Sequence, residues 1–108
     1  MIDRRKNEIL DLSFRFALDI IEVYKYLKNS SEYVMSKQLL RSGTSIGANI
    51  NEAQAALTKK EFISKMSISL KESWETRYWL ELLVKWNFYR IIRKNSKYKK
   101  ILNLLFIC

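Results

Sequence analysis

The sequence predicts an all-α protein: an antiparallel up-down-up-down four-helix bundle forming a single domain over residues 1–108. Three observations carry this expectation. Proline is absent and only two glycines occur, which leaves few turn signals for an all-β fold. Apolar residues make up 48% of the chain and recur at spacings of three and four through most of it. The length of 108 residues suits one core, since single domains usually organise about 100–150 residues.

The first helix is predicted from Asp3 or Arg5 to Lys28. Ile9, Leu12, Phe16, Ile20, Val23 and Leu27 form one helical stripe, and Leu10, Phe14, Ala17, Ile21 and Tyr24 form a second beside it. Two stripes on one helix imply more than one neighbour. Asn29-Ser30-Ser31 reads as a stop followed by a cap, because short oxygen-bearing side chains accept from the free N–H groups of the next helix. The second helix is expected over Ser31 to Ala56, with Leu39, Ile46, Ile50, Ala53 and Leu57 on its apolar face and Ser42 or Gly43 filling the gap between Leu39 and Ile46. Thr58 with Glu61 three residues on has the form of a capping box, opening a third helix from Lys59 to about Asn87. Phe62, Met66, Leu70, Ser73, Arg77, Leu80 and Val84 repeat along it at a spacing close to 3.5, the period of bundle seams, and Trp74, Tyr78, Trp79 and Trp86 thicken it. After a connection from Asn87 to Asn95, Ser96 caps a short fourth helix that turns Tyr98, Ile101, Leu102 and Leu105 inward. Leu104, Phe106 and Ile107 lie largely off that face, and exposed apolar surface of this kind marks a contact with another chain.

Composition narrows the chemistry. Histidine is absent, which excludes His-assisted nucleophiles, His-ligated zinc and Glu-x-x-His di-iron sites. The acid pairs Glu8/Asp11, Asp19/Glu22 and Glu72/Glu75 stand at i, i+3, a spacing common by chance in charged helices, and a dinuclear site would lack its usual ligands. No phosphate-cradling glycine loop and no nucleophile motif occurs, so the protein is read as a non-enzyme with no cofactor and no metal. The single cysteine, Cys108, cannot form an intrachain disulfide, which favours a reducing compartment. No apolar run approaches the roughly 20 residues of a membrane span and the first residues are polar, so a cytoplasmic location without membrane insertion is expected.

Charge is distributed unevenly. The formal net charge is +9, yet through Glu81 acids and bases nearly balance. Beyond Glu81 there is no acid, only Lys85, Arg90, Arg93, Lys94, Lys97, Lys99 and Lys100. Such a concentration fits a polyanion such as RNA or DNA, or else a solvated face that keeps the protein soluble.

The segment from Gln38 to Ala53 is unusually polar for a helix. Gly43 and Gly47 stand four apart, and each costs about 1 kcal/mol relative to alanine, a cost that makes sense where another helix comes close. Ser42, Ser45, Asn49 and Glu52 share a face at spacings of three and four. Polar groups there need partners, because an unmatched buried donor or acceptor costs about 1–3 kcal/mol. Glu72, Glu75 and Arg77 of the third helix lie at comparable depth, so a cross-helix network such as Arg41 with Glu72 or Glu75 is expected to fix register.

Arg41, Ser42, Ser45, Ile46, Asn49, Ile50 and Glu52 together form an R-S-x-x-S-I-x-x-N-I-x-E pattern, and a second stretch runs from Phe62 to Leu83, including Leu70-Lys71-Glu72-Ser73-Trp74-Glu75-Thr76 and Tyr78-Trp79-Leu80. On these residues the chain resembles the four helix bundle protein family, also called the 23S ribosomal RNA intervening-sequence proteins, over nearly its whole length. The resemblance implies an antiparallel four-helix bundle that assembles into a ring, commonly a homopentamer. Related proteins are accessory factors of diversity-generating retroelements, where a basic pentamer contacts nucleic acid and a reverse transcriptase. In the family the fourth helix usually continues further than the stretch ending at Cys108, so ring contacts through that helix are the least transferable part of the resemblance.

The functional expectation is therefore a non-enzymatic oligomeric accessory protein that binds RNA or DNA through Lys85 to Lys100, with Arg4, Arg5 and Lys6 as helpers. Trp86, Phe88, Tyr89 and Tyr98 interleave with those charges and can stack on unpaired bases, or else pack in the core or an interface. A ring would multiply a modest affinity through avidity. The rival expectation is a protein-interaction scaffold whose ring engages a protein partner. A weaker third is binding to anionic membrane through the basic stretch and Leu104–Ile107.

Overall fold

The computed structural model describes the backbone of residues 4–30 and 32–94 and the side chains of residues 8–30 and 32–87. Among these residues it is all-helical, with α1 over Arg4–Asn29, α2 over Val34–Ala53 and α3 over Lys59–Lys94. The predicted fourth helix lies outside the described residues, as does the Ser31 cap.

Helix α1 stops where the Asn29–Ser30 pair predicts. Ser30 N–H closes the last turn on the carbonyls of Tyr26 and Leu27, and Glu32 N–H returns to Leu27 O at 2.9 Å. Helix α2 starts later than expected, at Val34, with Tyr33 at the cap position and an acid just before it serving the first turn. The Glu32 carboxylate accepts from the backbone N–H of Met35 at 3.2 Å and of Ser36 at 2.7 Å, satisfying two of the orphan donors of the first turn. It ends earlier than expected, at Ala53, where Gln54, Ala55 and Ala56 each bond three residues back and tighten the chain into a turn. Leu57 consequently falls in the connection and is 93% exposed, so it is not part of the α2 face.

The expected cap of α3 forms. Thr58 Oγ1 accepts from Glu61 N–H at 3.1 Å, while the Glu61 carboxylate reaches back to the N–H of Leu57 at 3.0 Å, one residue beyond the usual capping-box position. Helix α3 does not stop at Asn87. It runs 36 residues to Lys94, about 54 Å at roughly 1.5 Å per residue. No glycine or proline interrupts that stretch, and an asparagine alone does not break an established helix.

Helix α2 is the middle layer, packing against α1 on one side and α3 on the other. Gly43 lies against Ile20, where a Cβ would stand 2.8 Å from two of its side-chain carbons, and Gly47 lies over the backbone of Ser13, where a Cβ would meet the carbonyl oxygen at 3.2 Å. The two glycines thus permit the close approach that their spacing implies. Pairing of residue 43 with 20 and 47 with 13 makes α1 and α2 antiparallel. Ser69 Oγ donates to Ile46 O at 2.9 Å and Lys65 pairs with Glu52 at 2.8 Å, which makes α2 and α3 antiparallel as well. Helices α1 and α3 therefore run parallel and flank α2.

Among the described residues the buried centre is partly polar: Ile20, Leu39, Ile50 and Ala53 with Ser13, Ser36, Ser42, Ser69 and Thr76. Ser42 and Thr76 satisfy their hydroxyls on carbonyls of their own helices, Leu39 O at 3.4 Å and Glu72 O at 2.7 Å. Ser36 Oγ is buried with no hydrogen-bond partner among the described residues. The 3.5-spaced seam of α3 does not face α2. Phe62, Leu70 and Val84 are 39%, 61% and 67% exposed. Met66, Leu70, Ser73, Arg77 and Leu80 instead form one wall of an open groove of about 750 Å³ whose other wall is Ile9, Leu12 and Phe16 of α1 and whose floor is Ile46 and Ile50. The second stripe of α1 is also open, with Leu10, Phe14 and Ala17 bordering a hollow against Thr44, Gly47 and Ala48 on the opposite flank.

Candidate nucleic-acid interface

The polar pattern inside α2 is built into the α2–α3 contact. Arg41 Nη1 donates to the Glu72 carboxylate at 3.2 Å, and its Nη2 meets Glu75, which also accepts from Trp79 Nε1 at 3.2 Å. Gln38 Oε1 accepts from Arg41 Nε at 3.2 Å, so the guanidinium is held on three sides. A planar fork suits this arrangement, because it can address two carboxylates at once. Ser45 Oγ donates to Arg41 O at 2.6 Å and Asn49 Nδ2 to Ser45 O at 2.8 Å, a chain of side-chain bonds running down α2. With Ser42 and Ile50 buried, Ile46 accepting from Ser69 and Glu52 paired to Lys65, every residue of the pattern takes part in packing or in register. The acid pairs are likewise engaged in ion pairs or solvated. Glu72 and Glu75 hold Arg41, Asp11 pairs with Arg15 at 3.1 Å and Glu22 with Lys25 at 3.8 Å. Among the described residues no cluster of acids and cysteine is arranged to hold a metal ion, and no helix is long and apolar enough to cross a membrane.

The basic stretch falls in a different place. Glu81, the last acid of the chain, pairs with Arg77 at 3.0 Å. Beyond it α3 continues for more than three turns carrying Lys85, Arg90, Arg93 and Lys94, and Lys85 is exposed. Lys97, Lys99 and Lys100 lie outside the described residues. Because α1 runs parallel to α3, Arg4, Arg5 and Lys6 at its start sit at the end of the helix pair opposite these turns, and the expectation that they assist is not supported. Of the interleaved aromatics, Trp86 is 48% exposed and borders a hollow with Val23, Tyr26, Leu27 and Leu83. Phe88 and Tyr89 lie on α3, and Tyr98 lies outside the described residues.

Comparison with protein-family models matches residues 5–106 to the 23S rRNA-intervening sequence proteins. The chain belongs to that family. Among solved structures it is similar to a protein of unknown function from the S23 ribosomal protein family of Bacteroides thetaiotaomicron, at 47% identity and a TM-score of 0.75, over 91% of this chain and 85% of that one. Comparison with curated proteins gives no match. Three of the residues that carry the resemblance, Arg41, Ile46 and Glu52, make the bonds that tie α2 to α3.

The sequence pattern underestimated two residues. Trp74 and Tyr78, grouped there with the bulk of the third helix, are 63% and 59% exposed on α3. Their positions one turn apart, off the Ser69–Thr76 line that meets α2, were the available signal.

Proposed function

We propose that this family member is a non-enzymatic accessory protein of the cytoplasm that assembles with copies of itself and binds RNA or DNA through the basic stretch Lys85 to Lys100. The observation that carries the reading is the composition of α3 past Glu81, where a rigid helix holds cations and no acid. Each phosphate neutralised by such a surface releases condensed counterions, which supplies affinity without sequence readout.

Self-assembly is supported by two separate apolar surfaces, one in the groove at Ile9, Leu12 and Leu70 and the other on the opposite flank of α1 at Leu10 and Phe14. Copies that meet through unlike surfaces form a ring when the rotation between them closes, and a ring of five is the assembly the family resemblance suggests. The decisive variant replaces Arg90, Arg93, Lys94 and Lys97 with glutamine. We expect it to lose RNA affinity while keeping the wild-type circular dichroism and melting curve, and an unchanged affinity would refute the assignment. The open groove also favours a second reading, a scaffold whose ring engages a protein such as a reverse transcriptase. In that case the glutamine variant would bind its partner as the wild type does.

A further inference from the structure

Resting on the nucleic-acid reading, we propose that the outer face of α3 is a stacking platform for the bases of single-stranded nucleic acid, formed by Trp74 and Tyr78. A tryptophan 63% exposed and a tyrosine 59% exposed on one helix contribute nothing to the buried centre, and neither borders the groove between α1 and α3. They stand one turn apart, about 6 Å along the axis, and together with Arg77 and Glu81 they border a shallow hollow of about 450 Å³.

Each ring is held by a neighbour, Trp74 by a guanidinium over one of its faces and Tyr78 by an edge-on ring. The Arg77 guanidinium carbon lies 5.6 Å from the centroid of the Trp74 ring, and Arg77 is itself fixed by its bond to Glu81. The Tyr78 ring packs edge-on against Trp79 at 5.2 Å and 78°, and Trp79 is anchored through its N–H to Glu75. Rings already held in place lose little freedom when a ligand arrives.

Charge selects the ligand. Lys71, Trp74, Tyr78 and Lys85 follow one another at spacings of three, four and seven, so a stripe of the helix places an exposed lysine on each side of the aromatic pair. Glu81 is neutralised by Arg77. The stripe leads without interruption into the acid-free turns bearing Arg90, Arg93 and Lys94, because α3 is one helix through Lys94. A strand whose phosphates follow those cations would bring its unpaired bases over Trp74 and Tyr78. Aromatic rings interleaved with cations are the general means of holding unpaired strands, whereas a duplex keeps its bases stacked on one another.

The test uses the full chain and two fluorescein-labelled probes, an oligouridylate of about 15 nucleotides and a duplex of the same length, read by anisotropy at low salt. Replacing Trp74 and Tyr78 together with alanine should weaken the single-strand complex by about a hundredfold, about tenfold for each ring. Duplex binding should stay unchanged, and Trp74→Phe with Tyr78→Phe should restore the single-strand affinity. Wild-type single-strand affinity in the alanine variant would overturn the platform and leave the basic stretch in place as the contact. So would a changed sedimentation coefficient with unaltered nucleic-acid affinity, because the two rings would then belong to a contact between proteins. A wild-type chain that binds neither probe would overturn the nucleic-acid reading and the platform with it.

Discussion

On the side of α3 that meets α2, Ser69 and Thr76 are 4% and 1% exposed; on the side that looks toward α1, Leu70 and Val84 are 61% and 67% exposed. The usual order, with large apolar residues inside and hydroxyls outside, is reversed along this one helix. Small residues let helices approach until side-chain hydroxyls reach carbonyls, as Ser69 does with Ile46, and until Arg41 spans to Glu72 and Glu75. Such a contact fixes register, because each bond fails if the helices slip. The apolar seam does not discriminate register in that way. It is exposed among the described residues, and the proposed self-assembly would cover it. Orientation within the chain and the proposed adhesion between copies thus fall on different faces.

Substitutions on the two faces should separate accordingly. The largest effect is expected at Leu39, fully buried in the α2 layer. Leu39→Ala should lower unfolding stability by about 3 kcal/mol in urea titrations, the cost of lost transfer energy and a residual cavity. Next comes Gly43→Val, which forces side-chain carbons into Ile20 and should cost about 2 kcal/mol, seen as a lower Tm. Ser36→Ala has the opposite sign. It removes a buried hydroxyl without a partner among the described residues, and should raise stability by about 1 kcal/mol in the same titration. The smallest effect on the fold is expected at the groove. Leu70→Ser should leave the stability of the isolated protomer within about 0.5 kcal/mol while weakening self-association in sedimentation velocity. A loss at Leu70 comparable to that at Leu39, at protein concentrations where only protomer is present, would mean the groove is closed within one chain.

Much of this division can be read from the residues. The Gly43–Gly47 spacing implied a close approach, and Ile20 and Ser13 supply it. Arg41, with two acids at matching depth on the next helix, implied a cross-helix pair, and the guanidinium takes both. The Thr58–Glu61 box marked the start of α3. What periodicity does not encode is which neighbour a stripe faces. Phe62, Met66 and Leu70 share a face by spacing, but the positions that reach α2 are serine and threonine, which a hydropathy pattern reads as surface. The extension of α3 was hidden for a related reason. Asn87 and Asn95 suggest a connection, yet nothing between them breaks a helix already formed. The role of Glu32 at the first turn of α2 was masked by the more conventional serines before it.

From Lys85 onward the turns of α3 carry cations and no acid, and their proposed ligand is a polyanion. The most direct measurement is fluorescence anisotropy of a structured ribosomal RNA fragment titrated with the wild-type protein at several salt concentrations. Tight binding is expected at low salt, the logarithm of the binding constant falling steeply and linearly with the logarithm of salt concentration, as phosphate neutralisation requires. Weak binding even at the lowest salt would contradict it, and would leave the cations of α3 as a solvated face.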